Sequence, residues 1–292
     1  MTWGCWRCGS CRRCERAIPR AIIKQRKAIG LKTKYPLLLV HGFAMKDTFF
    51  MKSFGRIDRI LRIQGYQVFV SGIDAVGNVG HNAAQLRKEI LRICEQTSAE
   101  KVNIIAHSKG GLDAKYMIQN LGMADRVASL TTLCTPFRGS PIASFILRFP
   151  PALVKYAAWW VDLAFRILGD SEPDSYTACR EMQRVEDETT ETLNCSDRVF
   201  CQSFSSQVRK GEKGQDFVMG IPLMFSRWLE KNHITDGLVP QDSAIFGVYR
   251  GDCVDGSVSH TEIIDFMVAD KKRDKIFAFY SALCEELAQA GY

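Results

Sequence analysis

The chain of 292 residues is 46% hydrophobic and 24% charged, with 22 glycines and 9 prolines, which is the composition of a globular protein. This composition excludes a disordered chain, a collagen and a coiled coil, and the length suffices for one large core. Residues 1–34 carry a net charge of +9 and the rest sum to −2, so we expect no nucleic-acid partner for the body of the chain.

The N-terminal tail, residues 1–34, is basic and rich in cysteine. Cys5, Cys8, Cys11 and Cys14 form a C-x2-C-x2-C-x2-C run, which can place thiolates around zinc or an iron–sulfur cluster. Zinc sites usually separate two such pairs by a longer loop, so a leader without a metal is the alternative. A solvated tail is likewise the alternative to contact with an anionic membrane or nucleic acid. For the remaining chain we expect no cofactor.

Targeting signals are not visible in the sequence. The chain has no run of 18 apolar residues, so we expect no transmembrane segment. Residues 17–30 contain four Lys or Arg side chains and therefore lack the apolar core of a signal peptide. The eleven cysteines are an odd number, which favours reduced thiols and a cytoplasmic location, whereas a misassigned start would allow secretion.

From residue 35 onward, short apolar runs alternate with helical periodicity, which is typical of a parallel sheet with crossover helices. We predict a first helix in which Phe50, Phe54, Ile57 and Leu61 recur at helical spacing, with Asp47 or Thr48 as its cap and Gly65 at its end. Further helical stripes are predicted near residues 83–94, 110–121 and 276–287. The predicted strands are residues 37–40, 68–70, 102–106, 127–134, 199–204 and 244–248.

The segment from residue 141 to about 228 breaks this alternation. Its apolar helix contains Lys155, Asp162 and Arg166 on one face and almost only apolar residues elsewhere. One interpretation is a core helix, which is the usual meaning of such spacing. The other is a mobile cap whose apolar face covers an apolar site.

The residues after the third predicted strand are typical of a nucleophile elbow. Ser108 is preceded by His107 and followed by Lys109 and two glycines, and a predicted helix comes next. Such a sharp turn strains the backbone at Ser108 and tolerates only small neighbours, which Ala106 and the glycines provide. An isolated S-x-G is expected by chance in this length, so the strand–turn–helix setting makes Ser108 the candidate nucleophile.

A nucleophilic serine needs a base, an orienting acid and donors for the oxyanion. Asp236 followed by His260 satisfies the chain order Ser, Asp, His, whereas His233 precedes Asp236 and breaks it. Singly, Asp236 is compatible with a turn and His260 with a surface loop; together with Ser108 they favour catalysis. The expected oxyanion donors are the backbone N–H groups of Lys109 and of Phe43, in the loop after the first strand.

Five segments support a family resemblance: Y-P-L-L-L-V-H-G-F (35–43), V-N-I-I-A-H-S-K-G-G (102–111), T-P-F-R-G-S-P (135–141), D-G-L-V-P (236–240) and S-H-T-E (259–262). In this order they resemble the bacterial triacylglycerol lipases of the α/β-hydrolase superfamily, especially the Pseudomonas and Burkholderia type. The resemblance implies an α/β-hydrolase fold, with a mostly parallel central sheet flanked by helices. It implies Ser108 as nucleophile, Asp236 as acid and His260 as base, with a lid over an acyl pocket.

On this basis we expect a tail (1–34) and a hydrolase domain (35–292) that contains a lid or cap insertion at about 141–228. The predicted contacts of the acyl chain are Ile142, Phe145, Trp160 and Leu163, because a long chain needs a large dry surface.

Four positions depart from the family pattern. Ala106 stands where glycine is commonest, as in the small Bacillus lipases. The structural calcium of the Pseudomonas-like enzymes is held partly by an Asp and a Gln at the positions of Glu262 and Phe266. Since the Phe266 side chain cannot bind calcium, we predict none. Asp242 replaces the family's usual cysteine, which argues against its disulfide.

The predicted function is a serine carboxylic ester hydrolase for lipid-like acyl esters, with a lipid or ester substrate and transient contact with a lipid interface as its partners. An acyltransferase or thioesterase would use the same triad. A metal-sensing or membrane-docking protein with an inert hydrolase body is the alternative from another class.

Overall fold

The computed structural model describes residues 31–48, 52–184, 196–209, 220–229 and 234–292. The four cysteines of the tail, Phe50 and His233 lie outside these ranges, so the predictions that concern them stay predictions.

Six strands form one parallel sheet in the order β2-β1-β3-β4-β5-β6. Five of them lie where apolar runs predict them. The strands are β1 (Leu37–Val40), β2 (Val68–Val70), β3 (Val102–His107), β4 (Val127–Leu133), β5 (Phe200–Ser205) and β6 (Val248–Asp252).

The sixth strand begins later than predicted, because the chain first turns. Gln241–Ala244 forms a short 3₁₀ helix after Pro240. Gly247 then has a φ of 57°, and a Cβ at this position would lie 2.3 Å from the carbonyl oxygen of Cys201. The strand can therefore start only at Val248.

Eight helices are described. They are α1 (Ile57–Ile63), α2 (Val79–Thr97), α3 (Lys109–Asn120), α4 (Pro141–Ile146), α5 (Pro151–Ile167), α6 (Ser175–Glu181), α7 (Gly220–Leu229) and α8 (Asp270–Gln289).

The first helix is shorter than predicted, and neither Asp47 nor Thr48 caps it. The Asp47 carboxylate instead accepts hydrogen bonds from the N–H and the hydroxyl of Ser53, both at 2.8 Å. Residues 53–56 then form a turn, and the helix begins at Ile57. Gly65, with a φ of 94°, ends the helix as predicted.

The sheet is covered by helices on both faces, because successive side chains of a strand point to opposite sides. Leu37 and Leu39 of β1 belong to a buried cluster with α1 and α8. Leu38 and Val40 belong to a second cluster with α2 and α3. The result is a three-layer arrangement with a core on each side of the sheet.

The strand order places a crevice between β1 and β3. From β1 the chain continues to β2 on one side, whereas from β3 it continues to β4 on the other. Ligands of open parallel sheets bind where the order reverses in this way, beyond the carboxyl ends of the strands. His41 to Phe43 follow β1 there, and Ser108 follows β3.

Helices α4–α6, which connect β4 to β5, are called the cap helices below. Of the 17 residues of α5, only Val154 is buried. The interpretation of α5 as a core helix is therefore wrong. Within the described ranges, no helix combines the length and apolarity needed to cross a bilayer.

Candidate active site

Ser108 lies on a strained turn between β3 and α3, with φ 52° and ψ −132°. The neighbouring backbone approaches so closely that side chains are excluded. A Cβ at Gly42 would lie 2.7 Å from the Cβ of Ser108, and one at Gly110 would lie 2.4 Å from the carbonyl oxygen of His41. The glycines of the two segments thus allow the turn to hold the Ser108 hydroxyl above the sheet.

The structure brings the three predicted catalytic side chains together. The Ser108 Oγ lies 2.9 Å from Nε2 of His260, and Nδ1 of His260 lies 2.7 Å from Oδ2 of Asp236. All three residues are buried, with Ser108 the most accessible at 7%. Because a carboxylate only accepts, we assign the proton to Nδ1, which leaves Nε2 free to accept the hydroxyl proton of Ser108.

The loop around Asp236 fixes the orientation of its carboxylate. Oδ1 accepts the backbone N–H groups of Leu238 at 2.9 Å and Val239 at 2.8 Å. The backbone N–H of His260 donates to the carbonyl oxygen of Asp236 at 3.1 Å. One carboxylate oxygen is thus held by the turn while the other faces the imidazole.

His107 supports His260 from the sheet side. Its Nε2 donates to the carbonyl oxygen of His260 at 3.0 Å, and the two rings lie 4.6 Å apart. Burial and the neighbouring His260 ring hold the pKa of His107 well below its ordinary value. His107 is therefore neutral and serves as a hydrogen-bond donor beside the imidazole of His260.

The two predicted oxyanion donors occupy the two sides of the crevice. Phe43 follows β1, and Lys109 is the first residue of α3. Within the described part of the chain, neither backbone N–H has an acceptor, as expected for groups that await a ligand oxygen. The Lys109 side chain is buried and pairs with Asp113 at 2.7 Å, so its ammonium points away from the crevice.

A cavity of about 420 Å³ opens beside Ser108 and His260. Its walls are almost entirely apolar and come from the cap helices and the loop after Asp236. The residues that line it include Phe43, Met45, Ile142, Ala143, Ile146, Val154, Ala157, Ala158, Val161, Tyr176, Met182, Leu238 and Val239. A cavity with this lining can hold an extended apolar group next to the Ser108 hydroxyl.

The four predicted acyl contacts lie in different places. Ile142 lines the cavity, and Phe145 lines an adjacent apolar pocket of about 160 Å³ between α4 and α7. Trp160 and Leu163 do not line the cavity and are 53% and 37% exposed. The helical period explains the correction: the residues of α5 at positions 154, 157, 158 and 161 share the inner face, and Trp160 and Leu163 lie off it.

Sequence reasoning missed helix α6 as a cavity wall. Ser175, Tyr176, Cys179 and Met182 line the cavity from α6 and its end. The available signal was Asp174, whose side chain caps α6 by accepting the N–H of Thr177 at 3.1 Å.

A second group of missed residues anchors the start of α6 to the loop before α2. Asp74 accepts hydrogen bonds from the N–H groups of Ser171 and Glu172 at 2.9 and 2.8 Å. Asp170 pairs with Lys46 at 2.7 Å and accepts the N–H of Val76 at 3.0 Å. Burial raises the pKa of Asp74, but the hydrogen bonds outweigh it and lower the pKa to about 2. The connection between α5 and α6 is thus bound to the loop before α2.

The residues at and beside the position of the family's calcium site form ion pairs with Lys and Arg side chains of this chain. The buried Glu262 carboxylate binds the ammonium of Lys272 at 3.0 Å and accepts the N–H of Ser259 at 2.9 Å. Asp265 pairs with Arg56 at 2.8 Å and Arg273 at 2.9 Å. Both carboxylates therefore have their charge balanced by the chain itself.

A scan against models of protein families finds no match. Curated relatives match part of the chain. The triacylglycerol lipases of Pseudarthrobacter phenanthrenivorans and Burkholderia plantarii are each 36% identical over 119 residues, which are 39% of this chain and 37% and 33% of theirs. The triacylglycerol lipase of Pseudomonas fragi is 35% identical over 124 residues, or 42% of both chains. The chain thus spans only about two fifths or less of the length of these relatives.

Solved structures resemble nearly the whole chain. A metagenomic carboxyl esterase superposes with a TM-score of 0.67 at 18% identity, and covers 89% of this chain and 78% of its own. A mature Bacillus licheniformis lipase has a TM-score of 0.56 at 19% identity, and covers 86% of this chain and 92% of its own. The fold is that of the α/β-hydrolases. In this fold the nucleophile follows a central strand at a sharp turn, which is where the described structure has Ser108.

Proposed function

We propose that the protein is a serine carboxylic ester hydrolase that acts on lipid-like acyl esters. The observation that carries this proposal is the hydrogen-bonded chain from Ser108 through His260 to Asp236 beside an apolar cavity. We further propose that residues 35–292 form the hydrolase domain and that residues 141–228 contain its lid.

The proposed reaction proceeds through an acyl-enzyme. Ser108 Oγ attacks the ester carbonyl while Nε2 of His260 takes the hydroxyl proton, and Asp236 stabilises the resulting imidazolium. The N–H groups of Phe43 and Lys109 stabilise the oxyanion. His260 then gives its proton to the leaving alcohol, the C–O bond breaks, and water activated by His260 releases the acid.

The cavity lining supports a long or bulky acyl group as the preferred substrate. Apolar side chains surround the space next to Ser108 on the cap side, where a polar acyl group would lose its hydration without compensation. The names of the curated relatives, triacylglycerol lipases, agree with this chemistry.

The outer face of α5 supports contact with a lipid surface. Tyr156, Trp159 and Trp160 are more than half exposed on α5, as are Met224 and Trp228 on α7. An exposed apolar patch of this kind marks an interaction site, and Trp and Tyr suit the boundary between water and lipid. We propose that a lipid interface is the partner of this face.

The first experiment is hydrolysis of p-nitrophenyl butyrate and palmitate by the full chain and by Ser108→Ala, with Ser196→Ala as a control outside the site. A fluorophosphonate probe that labels serine nucleophiles reports the same residue by mass spectrometry. We expect the wild type and the control to turn over and to be labelled, and Ser108→Ala to do neither. A folded, inert wild type would overturn the proposal.

Two further arms refine the function. Addition of an acceptor alcohol distinguishes a hydrolase from an acyltransferase: if acyl transfer exceeds hydrolysis, the protein is an acyltransferase.

Adsorption to a triolein emulsion tests the proposed contact with a lipid interface. We expect Trp159→Ser with Trp160→Ser to weaken adsorption at least about thirty-fold, since each buried aromatic side chain contributes over 1 kcal/mol. Val248→Ser, on an exposed apolar residue of β6, should leave adsorption unchanged. Equal adsorption of all three proteins would refute the interface contact.

A further inference from the structure

Cys134 is a buried thiol beside the triad that the proposed reaction does not use. It follows β4, is 1% exposed and has a φ of 52°. Its Sγ lies 3.2 Å from Oγ of Ser206. Ligand atoms of Cys134, Asp236 and His260 all lie within 4.8 Å of one another. A thiol, a carboxylate and an imidazole therefore lie close enough together to be considered as ligands of one ion.

These three groups form a donor set that suits zinc-like ions. Thiolate, imidazole and carboxylate are the usual ligands of Zn²⁺, at about 2.0–2.3 Å from the ion. In a tetrahedral site these bond lengths put a sulfur ligand about 3.6 Å from an oxygen or nitrogen ligand. Ligand atoms that lie within 4.8 Å of one another therefore reach a shared ion after side-chain shifts of up to about 1 Å. Softer ions of the same charge, such as Cd²⁺, prefer the sulfur even more strongly.

We propose that Cys134, Asp236 and His260 form an inhibitory binding site for a soft or borderline divalent metal ion such as Zn²⁺ or Cd²⁺. The inhibition rests on the proposed hydrolase function, whereas the metal binding does not.

The position of the ion explains why binding would stop catalysis. Nδ1 of His260 faces Asp236 at 2.7 Å, so an ion between them binds Nδ1 in place of its proton. A neutral imidazole bound through Nδ1 has its one proton on Nε2. Nε2 then donates a hydrogen bond and cannot accept the proton of Ser108. The thiol proton of Cys134 is released to solvent as the S–metal bond forms.

The surroundings of the Cys134 thiol determine how much free energy its deprotonation requires when a metal ion binds. Contact with Cys253, burial and the nearby Asp236 carboxylate all raise the pKa of Cys134. The free thiol is therefore protonated and unreactive. A divalent ion offsets this cost because its two charges stabilise the thiolate and the carboxylate together.

The test uses the full-length chain with Cys5, Cys8, Cys11 and Cys14 replaced by serine, because that cluster is itself a candidate metal binder. Cd²⁺ is titrated into the Ser108→Ala form, and binding is followed by equilibrium dialysis and by the ultraviolet absorption of the cadmium–thiolate bond. We expect one Cd²⁺ per chain and no binding of Mg²⁺, a hard ion that avoids sulfur.

Two cysteine variants identify the ligand. Cys134→Ala, or Cys134→Ser if the alanine variant does not fold, should weaken Cd²⁺ binding at least about ten-fold and abolish the absorption. Cys94→Ala removes a buried free thiol from α2 and should change neither. Cadmium binding that is absent, or that persists in Cys134→Ala, would overturn the proposed site.

Inhibition is measured separately with Ser108 present. Zn²⁺ should suppress hydrolysis of p-nitrophenyl butyrate, EDTA should restore it, and Cys134→Ala should need at least about ten-fold more Zn²⁺ for the same effect. Equal inhibition of both proteins contradicts the site. If the chain hydrolyses no ester, the dialysis still reports metal binding, so a failure of the proposed function is recognised independently.

Discussion

The strand ends around Ser108 and the cap helices above them differ in what they bury. At the strand ends, polar side chains are buried and hydrogen-bonded: Ser108, His260 and Asp236 are each less than a tenth exposed. On α5 the relation is reversed, since apolar side chains such as Trp159 and Ile167 lie in solvent. A site that must act without reorganisation needs the first arrangement. The second is typical of a surface that contacts another apolar phase, which is the role we propose for it.

The largest expected effect tests the buried hydrogen bonds that join Ser108, His260 and Asp236. Asp236→Asn replaces the acceptor of the Nδ1 proton by an amide and thereby favours the wrong tautomer of His260, so kcat for ester hydrolysis should fall about 10⁴-fold. Asp255→Asn changes an exposed carboxylate that pairs with Arg209, and its kcat should stay within two-fold of the wild type. A loss of less than ten-fold in a folded Asp236→Asn protein would show that the imidazole is oriented by other groups.

The next prediction concerns close packing at the elbow. A Cβ at Gly111 would lie 2.1 Å from Oγ1 of Thr135, whereas the space around Gly72 is open. Gly111→Ala should lower the free energy of unfolding by about 2–3 kcal/mol despite the better helix propensity of alanine. Gly72→Ala should change it by less than about 0.5 kcal/mol. Urea unfolding measures both, and similar midpoints for the two variants would contradict the tight packing.

The cap helices offer a matched pair on one helix. Ala158 lines the cavity and Ala164 lies on the exposed part of α5. Ala158→Trp should fill part of the cavity and lower kcat/KM for palmitate esters about ten-fold, with little change for acetate esters. Ala164→Trp should leave the ratio of the two kcat/KM values unchanged. If both variants behave alike, the cavity is not where the acyl chain binds.

The smallest expected effect concerns Asp74, which binds the segment before α6 to the loop before α2. The pKa of Asp74 lies at about 2 in the folded protein, below its ordinary value of 3.8. Its ionised form therefore adds stability above about pH 4, and this contribution is lost as the pH falls toward 2. Asp74→Asn should cost about 1 kcal/mol at pH 7 and less at pH 3. Asp270→Asn, an almost fully exposed carboxylate, is the control, and a cost independent of pH would contradict the assignment.

Local patterns were sufficient to predict the sheet and the elbow. Apolar runs between turns marked five strands, and the small residues after β3 marked the turn at Ser108. The chain order of Asp236 and His260 was enough to select the pair that lies beside Ser108, although 152 residues separate Ser108 from His260.

The cap helices were harder to predict for a physical reason. The sequence identifies the buried face of a helix when the opposite face is polar. Helix α5 is apolar on nearly all sides, so the spacing of its apolar residues does not distinguish the face toward the cavity from the outer face. Apolarity alone therefore predicts Trp160 and Leu163 as cavity residues, although the structure places them outside it. The wall formed by α6 and the anchors at Asp74 and Asp170 depend on contacts between distant segments, which no local pattern contains.

The ion pair that follows the nucleophile has a consequence for how the proposed reaction responds to salt. Lys109 is neutralised by Asp113 inside α3, so an oxyanion above Ser108 would meet peptide dipoles and the N-terminus of a helix rather than a net cation. Mobile counterions screen exposed charges strongly but hardly reach buried dipoles. Turnover of an uncharged ester should therefore be nearly independent of ionic strength, whatever salt does to the encounter with an anionic lipid surface.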